Sequence, residues 1–185
     1  MRRLTRSLAR FARDTRASFS IEMVLVLPLL FWTVAATYGF VDAYRMRALN
    51  LRATYTIGDL LSRQWNPVSI AFIDGMESLH NYLTNGRSRT GLRVTVVTWD
   101  PLLSRYELVW SHATGLSLPV LTQASLTEIT PHLPNMAAGD TLIYVQTWME
   151  HTPLLNIGLG PQTFENEIVV SPRFVPQLKL ADALL

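Results

Sequence analysis

Nineteen consecutive residues without a formal charge, Met23–Val41, constrain this chain more than any other feature. A helix rising about 1.5 Å per residue crosses a hydrocarbon core of roughly 30 Å in about 20 residues, so the run is long enough to span a bilayer. Arg2, Arg3, Arg6, Arg10, Arg13 and Arg16 precede it, opposed only by Asp14. Basic residues are retained on the cytoplasmic side, so this order predicts a cytoplasmic N-terminus and a C-terminal part on the far side of the membrane. Arg45, Arg47 and Arg52 follow the span but are sparser. Glu22 stands at the entrance of the apolar run. A carboxylate inside a membrane segment is costly, which makes Glu22 a functional candidate; at the headgroup level the cost is small.

The net charge of +2 conceals an asymmetry. Residues 1–63 hold ten arginines against four acids, whereas residues 64–185 hold six basic residues against ten acids. The basic residues cluster beside the apolar run and the remainder is acidic, so the charge fits a membrane surface and argues against nucleic acid. With no cysteine, disulfides, lipid anchoring through a thiol and thiolate catalysis are excluded, and a zinc site would need histidine and carboxylate alone.

Residues 18–64 read as one helix interrupted only by Pro28, which removes a backbone hydrogen bond and should kink or loosen it. Beyond the span, Val41, Tyr44, Ala48, Leu51 and Tyr55 recur at spacings of three and four. They are expected to form the stripe that lies on a soluble domain, with Arg45, Arg47, Asn50 and Arg52 on other faces. Trp65-Asn66-Pro67 ends the helix. A second helix is expected over 68–85, burying Ile70, Ile73, Met76, Leu79 and Leu83, with Gly86 as its C-terminal cap. Strands follow at 92–99 and 105–112, joined by DPLLS, with Tyr106, Leu108 and Trp110 on one face. A short helical stretch is expected near Leu118–Ile129, then strands at 141–150 and 166–171. The connection HTPLLNIGLGPQTFE between the last two is long and partly apolar, suited to docking on the sheet or on a partner. The fold class is therefore α+β: a single N-terminal transmembrane helix continuing into a long helix packed on an antiparallel sheet of about four strands. Four segments result: a leader at 1–17, a span at 18–41, a helical continuation at 42–66 and an α+β domain at 67–185.

Catalytic signatures are missing: no G-x-S-x-G, P-loop, G-x-G-x-x-G or H-E-x-x-H is found. Asp100, Ser111 and His112 could be assembled on paper into a hydrolytic triad, and His132, Asp140, Glu150 and His151 into a metal site, but neither set has diagnostic spacing. No metal or cofactor is expected. Trp99, Trp110 and Trp148 fall on predicted strands, where core packing is the expected role.

The stretch Arg16-Ala17-Ser18-Phe19-Ser20-Ile21-Glu22, followed by Val24-Leu25-Val26-Leu27-Pro28-Leu29-Leu30, resembles the TadE-like proteins of the tight-adherence pilus assembly system. Ile57–Gln64, Thr152–Leu155 and Ser171–Phe174 look like further segments of TadE-like and TadG-like proteins. The resemblance implies a pilin-like domain and cleavage by prepilin peptidase between Ala17 and Ser18, which makes Glu22 the fifth mature residue. The family usually has glycine before the cut, where this chain has Ala17. It also implies a bacterial inner-membrane location with a periplasmic domain and a structural role without catalysis, as a minor pilin or pseudopilin. The implied partners are the peptidase, other pilins and pseudopilins, an assembly platform and its ATPase. In physical terms, Glu22 could pair with the new α-amino group of a neighbouring subunit and so fix axial register, because an unpaired buried charge is expensive. Two other readings compete. One is an uncleaved, signal-anchored periplasmic binding domain. The other is a secreted protein cut after Val34-Ala35-Ala36.

Overall fold

A computed structural model describes residues 15–86, 88–155 and 158–181. The leader through Asp14 and the side chains of Ala17 and Ser18 lie outside the described residues; the backbone at both positions is helical. Helix α1 runs from Thr15 to Ser62 and continues through Pro28. Its apolar part, within Ile21–Ser62, is long and hydrophobic enough to cross a membrane, with a mean hydropathy of 2.0 and none of that window buried. The chain divides into two compact units. One comprises Met1–Asp42 with Pro153–Leu159, the other Ala43–Thr152 with Gly160–Leu185.

The second unit holds α2 (Ile70–Leu83), β1 (Thr90–Asp100), β2 (Arg105–Gly115), a single-turn α3 (Leu126–Ile129) with a 3₁₀ turn (Thr130–His132), β3 (Thr141–His151) and β4 (Gln162–Val170). The strands form one antiparallel sheet in the order β2-β1-β3-β4. Three layers result. The C-terminal half of α1 and α2 cover one face, where Ile57, Leu61, Ile73, Leu92, Val94, Ile143 and Val145 are fully buried. The α3 segment covers the other face, packing Leu121, Leu126, Ile129 and Leu133 on Val97, Tyr106, Leu142 and Tyr144. Alternating strand side chains feed both cores, which is why β1 and β3 read as nearly continuous apolar runs.

Local signals account for the element ends. The Ser69 hydroxyl caps α2 by accepting from the Phe72 N–H. At its far end Asn85 and Gly86 turn left-handed and the Gly86 N–H returns to the Asn81 carbonyl, the closing geometry that glycine permits. Helix α1 stops where a later segment meets it. Asp59 bridges Arg63 (2.9 Å) and Arg173 (3.1 Å), the Arg173 N–H donates to the Ser62 carbonyl, and Trp65 stacks on Phe174 at 4.6 Å. Ile57–Gln64 and Ser171–Phe174 are thus neighbours in space.

Several expectations are corrected. The stripe Val41, Tyr44, Leu51 and Tyr55 is exposed, with Ala48 only half-buried. The inward stripe is instead Ala43, Met46, Asn50, Ala53, Ile57 and Leu61, so Asn50, expected outside, is fully buried. Both stripes have helical spacing, and the inward one is chosen because its small residues allow close approach. At Gly58 an added Cβ would lie 2.3 Å from the Ile168 Cδ1. On α2 the fully buried residues are Ile73 and His80; Leu79 and Leu83 are only half-buried and Ile70 is exposed. Tyr106, Leu108 and Trp110 do not share a face. Val96 pairs with Trp110 and Val97 with Leu108, so Val109 is a one-residue bulge that shifts the alternation. Tyr106 and Leu108 join the α3-side core and Trp110 the helix-side core, where its Nε1–H donates to the Leu178 carbonyl at 2.8 Å. The helical stretch expected over 118–129 shortens to Leu126–Ile129, and β4 begins at Gln162 rather than 166.

Candidate functional site

The chemistry of α1 changes along its length. In the apolar part every described side chain from Ile21 to Val34 is exposed. The Thr33 and Thr37 hydroxyls donate to the Leu29 and Thr33 carbonyls at 2.8 Å. That satisfies both polar groups within the helix and leaves its exterior compatible with lipid. Pro28 lacks the N–H that would reach the carbonyl one turn earlier. Glu22 is exposed and forms no ion pair among the described residues. A carboxylate at the start of such an apolar run is tolerated in headgroup water or beside a positive partner.

From Ala43 onward the inner face of α1 is fixed by a buried polar network. The Asn50 Nδ2 donates to the Phe164 carbonyl at 3.0 Å, and its Oδ1 accepts from His80 Nε2 at 2.7 Å. The Thr54 hydroxyl donates to the Asn50 carbonyl at 2.8 Å and meets the Thr147 hydroxyl at 2.6 Å. Asn50, Thr54, His80 and Thr147 are all fully buried. The amide orientation assigns the His80 proton to Nε2, so Nδ1 is the bare nitrogen, and it has no partner. Burial pushes the His80 pKa down to about 4, because an imidazolium here would be desolvated without a counter-charge. The outer face presents Tyr44, 77 % exposed, Leu51 at 39 % and Tyr55 at 59 %. One face of this helix is therefore committed to the domain while the opposite one, where Tyr44, Leu51 and Tyr55 alternate with Arg45 and Arg52, is open.

Two further sites lie on the α3 side of the sheet. A cavity of about 830 Å³ is floored by Trp99 and Tyr106, whose rings meet edge-on at 4.9 Å, and rimmed by Gln123 and Asn135. Gln123 is occupied structurally, accepting from the Leu108 N–H and donating to the Tyr106 carbonyl. Nearby, Arg93 donates through Nε and Nη2 to Gln146 Oε1 (2.8 and 2.6 Å) and through Nη1 to the Pro119 carbonyl (3.1 Å), with Trp148 beneath it at 5.0 Å. Glu167 accepts from Tyr144 and from His132. Burial opposes its ionisation, but the hydrogen bonds from Tyr144 and His132 and the His132 charge outweigh that and hold its pKa below the ordinary value. Burial, then the bond to Glu167, drives the Tyr144 pKa up. Tyr144 is buried while His132 and Glu167 are exposed, so Glu167 supplies the partner that the buried phenol needs.

The imagined hydrolytic triad does not converge. Asp100 caps its own turn through Leu102 N, Ser111 bonds Thr95, and His112 faces Asp74 at 3.3 Å. Asp140 accepts from Ala137 N, Glu150 pairs with Arg89 at 3.6 Å, and His151 stacks on Phe164. Among the described residues no three potential metal ligands come together. The sequence reading missed the Asn50–Thr54–His80–Thr147 network. Its signal was a polar residue every three or four positions beside alanines, which looks like a solvated face. No protein family, curated protein or solved structure matches this chain.

Proposed function

We propose that this protein is a TadE-like minor pilin or pseudopilin of a tight-adherence pilus or type II-like secretion apparatus. In this role it is structural rather than catalytic, is cut between Ala17 and Ser18 by prepilin peptidase, and is anchored in the bacterial inner membrane with its domain in the periplasm. The observation that supports this most is the division of labour on α1. The inner face is locked to the sheet through Asn50 and Thr54, while Glu22, the apolar exterior and the outer face at Tyr44, Leu51 and Tyr55 are left without partners in the domain. A helix built this way is suited to packing beside other pilins. Glu22 would set the stagger by meeting a neighbour's α-amino group, and Pro28 would let the helix yield during extraction from the bilayer. The peptidase, assembly platform, ATPase and other pilins are the partners of this reading.

The aromatic-floored cavity favours a second reading, an uncleaved, signal-anchored binding domain. The mature N-terminus separates the two. Mass spectrometry is expected to find a chain beginning at Ser18 only in cells that contain the peptidase; a leader retained in both cells would refute the pilin reading. Glu22→Ala is expected to insert normally and to abolish assembly, read as loss of the protein from sheared surface fractions; unchanged assembly would remove the register role.

A further inference from the structure

The β3–β4 connection belongs to the anchor rather than to the domain. Pro153–Leu159 forms one compact unit with the chain through Asp42, although the strands on either side of it belong to the other unit. No Asp, Glu, Lys or Arg occurs from Thr152 to Phe164. Leu154 is 78 % and Leu155 46 % exposed, an apolar pair open to solvent. The uncharged run of α1 ends at Val41, next to Asp42. Tyr38, more than half exposed near that end, is of the type enriched where a helix leaves the hydrocarbon.

We propose that Leu154 and Leu155 insert into the outer boundary of the bilayer beside α1, giving the protein a second, shallow contact with lipid. The occupant is lipid because the loop shares a unit with the one candidate span among the described residues. The insertion is shallow because irregular backbone is not tolerated in bare hydrocarbon, whereas apolar side chains reach roughly 5–10 Å into the headgroup–acyl boundary. Pro153 and Pro161 suit this position, since neither carries an N–H that would need a partner. This rests on the membrane-anchored helix of the reading above but not on filament assembly.

The chain has no cysteine, so single introduced thiols label uniquely. The full-length protein is reconstituted in phosphatidylcholine–phosphatidylglycerol vesicles carrying an environment-sensitive dye on Leu154→Cys, on Val26→Cys in the span, or on Leu102→Cys. Leu102 is 93 % exposed and lies in the β1–β2 turn, at the end of the sheet opposite to the point where β3 enters the loop. The expected result is a blue-shifted Leu154→Cys signal that is lost with doxyl lipids labelled near the headgroup and protected from aqueous iodide, with Leu102→Cys behaving in the opposite way. Equal iodide quenching at 154 and 102 overturns the proposal. So does a signal at 154 shielded from iodide yet blind to doxyl lipid, which would mean docking on protein. If Val26→Cys reports lipid and Leu154→Cys does not, the anchor stands and this inference alone fails; if neither reports lipid, both fall.

Discussion

Acid should weaken this fold through one histidine. His80 is fully buried, donates from Nε2 to Asn50, and leaves Nδ1 without a partner. Its pKa falls from the ordinary 6.5 to about 4 in the folded protein. The sign follows from proton counting. Between these two values the unfolded chain binds a proton that the folded chain refuses, so stability is full above 6.5 and declines as pH falls toward 4. At about 1.4 kcal/mol per pH unit, the loss reaches about 2.5 kcal/mol by pH 4.5, a large share of the 5–15 kcal/mol typical of a domain. The assay is urea unfolding of the detergent-solubilised full chain, followed by tryptophan fluorescence at pH 7 and pH 4.5. His80→Gln retains an amide donor toward Asn50 but cannot titrate. It is expected to be less stable than the parent at pH 7 and to lack most of the parent's acid-dependent loss. Equal losses in the two proteins would refute the reasoning, as would an imidazole resonance for His80 that titrates near 6.5.

Three further outcomes follow from the packing. Leu61→Ala removes a fully buried side chain from the helix-side core and should cost about 2–5 kcal/mol in the same unfolding assay. Gly115→Ala should cost about 2 kcal/mol or more, because Gly115 has a φ of +70° and an added Cβ would lie 2.3 Å from the Thr90 carbonyl oxygen. Deleting Val109 should leave a folded protein with Trp110 still buried, read from its emission maximum. Removing the bulge makes Leu108 and Trp110 adjacent, which places them on opposite faces as they already are.

What could be read from the sequence was whatever a strong period or a long run declares. The long apolar helix and the four strands follow from charge-free length and β-branched runs, and the structure holds α+β elements at those places, although the helix ends at Ser62, before the expected stop at Trp65-Asn66-Pro67. The facing of α1 could not be read, because Tyr44, Leu51 and Tyr55 recur at the same helical spacing as Ala43, Met46, Ala53, Ile57 and Leu61, and Asn50 and Thr54 make the inward face look polar. Close approach rewards small side chains and a few paired polar ones. The Val109 bulge was equally hidden, since Tyr106, Leu108 and Trp110 alternate perfectly on paper. Glu22 was legible as an anomaly from one sequence alone. The network around His80 was not, because the bonds that tie Asn50 and Thr54 to His80 and Thr147 span 30 to 97 positions.

The clasp at the end of α1 sets a timetable for biogenesis. A chain leaves the ribosome in order, and domains are completed as their segments arrive. Here Asp59, Ser62 and Trp65 are early, while their partners Arg173 and Phe174 are more than one hundred residues later. The inner face of α1 likewise waits for Thr147 and Phe164. Through most of synthesis the inner face of the helix from Ala43 to Leu61 is therefore bare. Only when the segment after β4 has emerged can that face be sealed.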